Sequence, residues 1–351
     1  MGEIKNKEFT TPSQAISSPY VVMKFLIIRF SSIGDIVLTT PVIRCLAKKY
    51  PEASLYYLTK KKFEGIVSSN PYVSKVLVLN EDLLETIEIL KEEKFDAVID
   101  LHHNLRTLRI KQALKGVPFY SFNKLNTQKW IYTTFKINLL PPLHIVDRYL
   151  QAARPLGVEN DGEGLDYFIP EPEEVPQEDL PLSHVHGYIA VVIGAAHETK
   201  KLPLPKLMEL CAQIPYPIML LGGKEDFDHG QQIASQDPVK IYNTCGKFTL
   251  NESADIIRKS KLVISHDTGL MHIAAAFHKT IFSIWGNTVP SFGMYPYKTS
   301  HKIFQVNHLW CRPCSKIGYD KCPMGHFKCM MKIPVLEIAS RVSEDLKILG
   351  T

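Results

Sequence analysis

The chain has 351 residues, more than one ordinary hydrophobic core accommodates and enough for two domains. A hydrophobic content of 45% and a charged content of 22% exclude a disordered chain, and no apolar run reaches the length of a membrane span. A net charge of +5 permits anionic partners without demanding nucleic acid, and seven cysteines, an odd number, fit a reducing compartment better than a disulfide framework.

Residues 1–22 lack the apolar stretch of a signal peptide and read as a flexible tail, with Met23 a candidate start. From residue 23 the chain alternates. "MKFLIIRF" reads as a buried strand and Asp35–Lys49 as a helix. "ASLYYLT", "SKVLVLN" and "FDAVIDL" read as strands, separated by helical patterns in "KKKFEGIVSS" and "DLLETIEILKEEK". Apolar strands alternating with amphipathic helices imply a parallel sheet covered on both faces.

Residues 102–148 differ. They carry eight Lys or Arg against one acid, Asp147, with six interleaved aromatics from Phe119 to Phe135. Such a stretch fits either a solvated face or a platform for an anionic ligand or membrane surface. Residues 169–186 hold four prolines and five acids and read as a linker between a domain at 23–168 and one at 187–333.

Alternation then restarts. "GYIAVVIG", "PIMLLGG", "VKIYN", "KLVISHD" and "TIFSIWG" read as strands. "LPKLMELCAQI", "KEDFDHGQQIAS", "LNESADIIRKS" and "GLMHIAAAFH" read as the helices between them. An amphipathic helix fills most of 334–351 and is expected to return to the N-terminal domain. The fold class is α/β: two Rossmann-like parallel-sheet domains facing a central cleft, where ligands bind at the carboxyl ends of the strands.

Three turns of the second domain carry candidate chemistry. In "VISHDTGLMHIAAAFHK", Thr268 and Gly269 open a helix whose free N–H groups suit a phosphate. Asp267 could cap that helix, and His272 lies one turn inside it; an ordinary capped turn fits the same residues. Lys200 precedes a proline-opened helix, where its charge can meet a leaving diphosphate. Glu225 or Asp226 follows Gly222-Gly223, within reach of nucleotide hydroxyls or simply at a helix start. Neither G-x-G-x-x-G nor a P-loop occurs, which disfavours a dehydrogenase or an ATPase and suggests a nucleotide-sugar enzyme.

"FLIIRFSSIGDIVLTTPVIRCLAKKYP" and "SHDTGLMHIAAAFHKTIFSIWGNTVP" together resemble the ADP-heptose:lipopolysaccharide heptosyltransferases, glycosyltransferase family nine. The resemblance runs from residue 23 to about residue 349 and implies a GT-B fold. It implies an acceptor on the N-terminal domain, an ADP-sugar on the C-terminal domain, and inversion at the anomeric carbon. It makes Asp35 the general base. An inverting transferase needs one carboxylate to take the acceptor hydroxyl's proton. It assigns the donor to Lys200, Asp267, Thr268, Gly269, His272 and Glu225. Leu202 stands where the family usually has an aromatic. Ser32 and Gly34 of the Asp35 turn, with Arg106 and Arg109 beyond the strand end at Leu101, are the acceptor candidates.

The implied function is transfer of heptose from ADP-L-glycero-D-manno-heptose to a phosphorylated, lipid-linked lipopolysaccharide inner-core acceptor. The implied place is the cytoplasm, peripheral at the inner face of its membrane. Another nucleotide sugar or acceptor, or a non-catalytic sugar-nucleotide-binding protein, remains open. No cofactor, no nucleic acid and no catalytic metal is expected. Cys311, Cys314, Cys322 and Cys329 have a spacing that permits zinc, a disulfide or free thiols.

Overall fold

The computed structural model describes residues 22–348. The expected tail therefore lies, apart from Val22, outside the described residues, as do residues 349–351. The first domain runs β1 (Lys24–Ile28), α1 (Ile33–Val37), α2 (Thr40–Lys49), β2 (Ser54–Thr59), β3 (Lys75–Val78) and α3 (Leu83–Glu93). It continues through β4 (Ala97–Asp100), α4 (Leu105–Ala113), β5 (Phe119–Ser121), α5 (Asn126–Phe135) and α6 (Ile145–Ala153). The second runs β6 (Ile189–Val192), α7 (Leu204–Gln213), β7 (Ile218–Leu221), α8 (Phe227–Ala234), β8 (Ile241–Asn243) and α9 (Leu250–Lys259). After these come β9 (Leu262–His266), α10 (Gly269–Ala276), β10 (Ile281–Trp285), β11 (His301–Gln305), α11 (Lys328–Met331) and α12 (Val335–Ile348).

Both sheets are parallel throughout. Their strand orders are β3-β2-β1-β4-β5 and β11-β10-β9-β6-β7-β8. Each order reverses at one point, between β1 and β4 and between β6 and β9. Ligands of open parallel sheets bind at such reversals, beyond the strands' carboxyl ends. The turn after β1 carries Asp35, and the turn after β9 carries Thr268.

The expected long helix after β1 is two helices. The chain turns at Leu38–Thr39, and Pro41 near the start of α2 lacks the N–H that continuity would use. "KKKFEGI" forms a tight 3-10 turn at Lys61–Ile66 rather than an α-helix. The expected strands and the helices from α7 to α10 form. β5, β11 and the helices α4 to α6 were not expected. β5 has three residues with none buried, and β11 buries only Phe304, so neither carries an apolar run. The proline-rich 169–186 segment is strapped to the second domain. Val175 N–H donates to Asp255 Oδ2 (2.8 Å), and Lys259 Nζ donates to Val175 O (2.6 Å).

The C-terminal helix corrects an expectation. α12 stays on the second domain, where Ile338, Val342 and Leu346 join one buried cluster with Leu207, Leu210 and Cys211 of α7. Another apolar cluster is continuous between the domains: it holds Ile36 and Val37 of α1 with Met271, Ile273 and Ala274 of α10. At that joint a Cβ on Gly34 would lie 2.6 Å from His272 Cδ2 and 3.2 Å from Gly269 Cα. The Asp35 turn and the turn that opens α10 therefore touch.

Candidate functional site

Asp35 sits in the first turn of α1, three residues after Ser32, which takes the N-cap position. One carboxylate oxygen, Oδ2, accepts from the Ser32 hydroxyl (2.8 Å) and the Ser32 N–H (3.3 Å). The other, Oδ1, lies 2.7 Å from Arg29 Nη2. Arg29 is itself immobilised. Its Nε donates to Ser31 O (2.7 Å), and its Nη1 donates to Leu101 O (2.6 Å) and the Tyr149 hydroxyl (3.1 Å). Burial pushes the Asp35 carboxyl upward, but Arg29 and the Ser32 hydrogen bonds outweigh it and hold the group below its ordinary value. The side chain keeps 23% exposure, so an aimed, ionised carboxylate remains open to the cleft.

Opposite stands the start of α10. Thr268 is its N-cap, and no side chain caps the helix, so the first N–H groups keep their capacity for a ligand. Asp267 does not cap. Its Oδ2 accepts from Lys200 Nζ (2.7 Å) and the Thr288 hydroxyl (2.9 Å). Lys200 also donates to Asp267 O (3.3 Å). Asp267 thus positions Lys200 at the helix mouth, and the pairing neutralises a charge that would otherwise repel a phosphate. His272 is buried against Gly34, and burial pushes it down to about 4, so it is neutral. Leu202 is part of the second domain's core and does not wall the site; its N–H donates to His266 Nε2 (2.9 Å).

The two acids after Gly223 separate. Asp226 is buried and accepts from Lys201 Nζ and from Gly223 N–H, both at 3.0 Å. Glu225 is exposed, its carboxylate folded over Gly223. Asp226-Phe227-Asp228 is an Asp-x-Asp pair, a spacing that can hold a cation. At a helix start, however, residues two apart do not share a face, and Asp226 is already used. Among the described residues no three His, Cys, Asp or Glu are grouped to hold a metal ion. Cys311, Cys314, Cys322 and Cys329 are free thiols, and Cys314 Sγ donates to Cys311 O. Burial pushes Cys314 up to about 12 and Cys329 up to about 11.

Of the acceptor candidates, Ser32 and Gly34 lie in the Asp35 turn. Arg106 and Arg109 do not face it. They line an open groove with Glu81, Asp82 and Leu84, all of the first domain, and no residue of the Asp35 turn borders it. Their strand end pointed to the cleft, but α4 carries them to the α3 side.

Other cations of this domain stand out, and of these Lys129 is the one that feels Asp35. Arg148 is 3% exposed, and its Nη2 donates to Phe292 O (3.2 Å), yet its Nε and Nη1 have no partner. Arg44, equally buried, is matched by Asp161 and Asp166. Burial pushes Lys129 down to about 8, Arg148 and Lys316 push the same way, and Asp35 opposes them. Arg29 was not singled out in the sequence, and Lys129 and Arg148 counted only toward local charge. No motif marks them, because their meaning lies in what they lack or face.

Residues 84–324 match the profile described as glycosyltransferase family 9 (heptosyltransferase). Lipopolysaccharide heptosyltransferase 1 of Campylobacter coli is 24% identical over 300 residues, covering 77% of this chain and 85% of that protein. Lipopolysaccharide heptosyltransferase 2 of Escherichia coli K12 is 24% identical over 300 residues, covering 77% and 84%. Among solved structures, E. coli ADP-heptose lps heptosyltransferase II superposes with a TM-score of 0.71 at 18% identity, covering 94% of this chain and 100% of that one. E. coli heptosyltransferase WaaC with ADP-2-deoxy-2-fluoro heptose superposes with a TM-score of 0.64 at 17% identity, covering 92% and 100%. The two parallel-sheet domains form the GT-B fold of these structures.

Proposed function

The chain belongs to glycosyltransferase family 9, and from that premise we propose an inverting, metal-independent transfer of heptose from ADP-L-glycero-D-manno-heptose to a phosphorylated, lipid-linked inner-core acceptor. The observation that carries this reading is the contact between the Asp35 turn and the α10 turn. The turn that holds the Asp35 carboxylate touches the turn that opens the cationic, N–H-lined cradle, which supports a sugar carbon held between the two groups.

In the proposed reaction the donor's diphosphate lies at the start of α10, against Lys200. The acceptor hydroxyl lies at Asp35. As the oxygen attacks the anomeric carbon from the side opposite the diphosphate, its proton passes to the carboxylate. The C–O bond to ADP breaks, and the charge on the leaving oxygen meets Lys200 and the helix N–H groups. Arg29 keeps Asp35 ionised and aimed at some cost in basicity. Glu225 serves the ribose hydroxyls, once its side chain swings off Gly223. Arg148, Lys129 and Lys316 take the acid groups of the acceptor, which supply the partner the Arg148 guanidinium lacks. Among the described residues no helix is long and apolar enough to cross a membrane. In this reading the work takes place peripherally, at the inner face of the cytoplasmic membrane, where a lipid-linked acceptor would be presented.

The test is a panel of nucleotide sugars offered with candidate acceptors, read by product mass. A heptosyl product from ADP-heptose is expected. Turnover only with another sugar would overturn the donor assignment. ADP binding without turnover of any donor would leave a sugar-nucleotide-binding protein.

A further inference from the structure

α5 covers nothing. None of its ten residues is buried, although helices usually draw their stability from an apolar face packed on a core. Its sides differ. Tyr132 meets the Phe292 ring at 5.9 Å, and Lys136 Nζ donates to Pro313 O at 2.8 Å, so that side faces the second domain. Trp130, 58% exposed, and Phe135, 57% exposed, stand in solvent with rings edge to face 5.5 Å apart. The chain leaving the helix adds Ile137 and Leu139, each more than half exposed. Four large apolar side chains exposed together within ten residues form a patch, unlike the single exposed residues of an ordinary surface.

The surroundings are cationic. No Asp or Glu occurs between Asp100 and Asp147, an interval with seven Lys or Arg. The loop that receives Lys136 is also rich in lysine and exposed apolar side chains, with one exposed acid, Asp320. Trp310 and Ile317 are exposed there beside exposed Lys316 and Lys321. Exposed aromatic and aliphatic side chains interleaved with lysines, with Asp320 of the loop as the one acid among them, suit the headgroup region of a bilayer. A second copy of this chain suits the patch less, because like charges would meet across the interface.

We propose that α5 and the residues after it, through Leu139, seat the protein on an anionic bilayer. Trp130, Phe135, Ile137 and Leu139 enter the headgroup layer, and the neighbouring lysines meet lipid phosphates. The proposal deepens the reading of a lipid-linked acceptor, since it sets the basic end of the cleft toward the surface that would hold one. Vesicle binding itself does not depend on that reading.

The test uses the full chain and sedimentation with vesicles of phosphatidylcholine, with or without phosphatidylglycerol. The wild type should pellet with the anionic vesicles, and added salt should weaken this. Replacing Trp130, Phe135, Ile137 and Leu139 with serine should lower the partition coefficient at least roughly tenfold, with the melting temperature kept. A second measurement leaves the patch intact. In Trp310→Phe the remaining indoles are Trp130 and the buried Trp285, so anionic vesicles should blue-shift the emission. No pelleting, equal pelleting of the serine variant, or no shift would overturn the proposal. So would a wild-type dimer that the serine variant dissociates while neither binds vesicles. ADP affinity measured on the same samples separates the two readings: its absence beside intact vesicle binding counts against the transferase alone.

Discussion

Gly34 and Gly269 face each other where the domains join, and neither position has room for a side chain. A Cβ on Gly269 would lie 2.7 Å from Ile33 Cγ2, and one on Gly34 would lie 2.6 Å from His272 Cδ2. The glycines of both motifs are therefore domain contacts, whatever else they do for a ligand.

Gly34→Ala and Gly269→Ala should each cost about 1–3 kcal/mol, the usual range for overpacking a close contact. Urea unfolding checks this. Gly65→Ala is the control, because a Cβ there meets nothing within 4 Å. Equal midpoints in all three variants would show that the joint yields freely.

Asp35→Asn should lower turnover by roughly 10²–10⁴ while ADP affinity holds, as expected for loss of a proton acceptor. Arg29→Met probes the same group through pH. Arg29 lowers the Asp35 carboxyl, so its removal lets that value rise. The base is active only when ionised, so the acid limb of the kcat/KM profile should move to higher pH. An unmoved limb would remove either Asp35 from the chemistry or Arg29 from its control.

Lys200→Ala should weaken ADP binding and slow transfer together, because one charge meets both the bound and the leaving diphosphate. Asp267→Ala should weaken ADP less, by freeing Lys200 rather than deleting it. Calorimetry on both single variants and the double variant should give a coupling of about 0.5–3 kcal/mol, as for residues in direct contact. Strict additivity would mean that Asp267 does not position Lys200.

Arg148→Met separates function from stability. A buried guanidinium with two unpartnered nitrogens does not help the fold, so the variant should melt at or above the wild-type temperature. The KM for a soluble, phosphorylated acceptor should nevertheless rise, with ADP affinity unchanged. Arg106→Ala with Arg109→Ala should leave that KM alone. A destabilised Arg148→Met with normal KM would make the residue structural.

Acid should loosen the protein before its carboxylates titrate. Burial pushes His266 and His272 from 6.5 down to about 4, and His102 and His144 down to about 3. Between those values and 6.5 the unfolded chain binds protons that the folded chain does not. Stability should therefore fall as pH drops from 6.5 toward 4. A urea midpoint that stays flat across that window would contradict the burial of these rings.

The sequence by itself determined the two alternating α/β domains, because period and strand composition are local properties that nearby residues enforce. It also determined the Asp35 turn and the Lys200 and Thr268-Gly269 turns, which are short runs with their chemistry contained within them. Tertiary structure decided what those groups meet. Arg29 Nη1 reaches Tyr149, 120 residues away, and this network is what aims Arg29 at Asp35. Lys200 finds Asp267 across 67 residues, which turns an acid expected as a cap into a positioning group. Arg106 and Arg109 looked like cleft residues from their strand end, yet the rotation of α4 turned them to the α3 side. Arg148 looked like one cation among eight until packing left it buried without an anion. Side-chain direction and the presence or absence of a partner depend on elements far apart in the chain, and spacing along the sequence does not encode either.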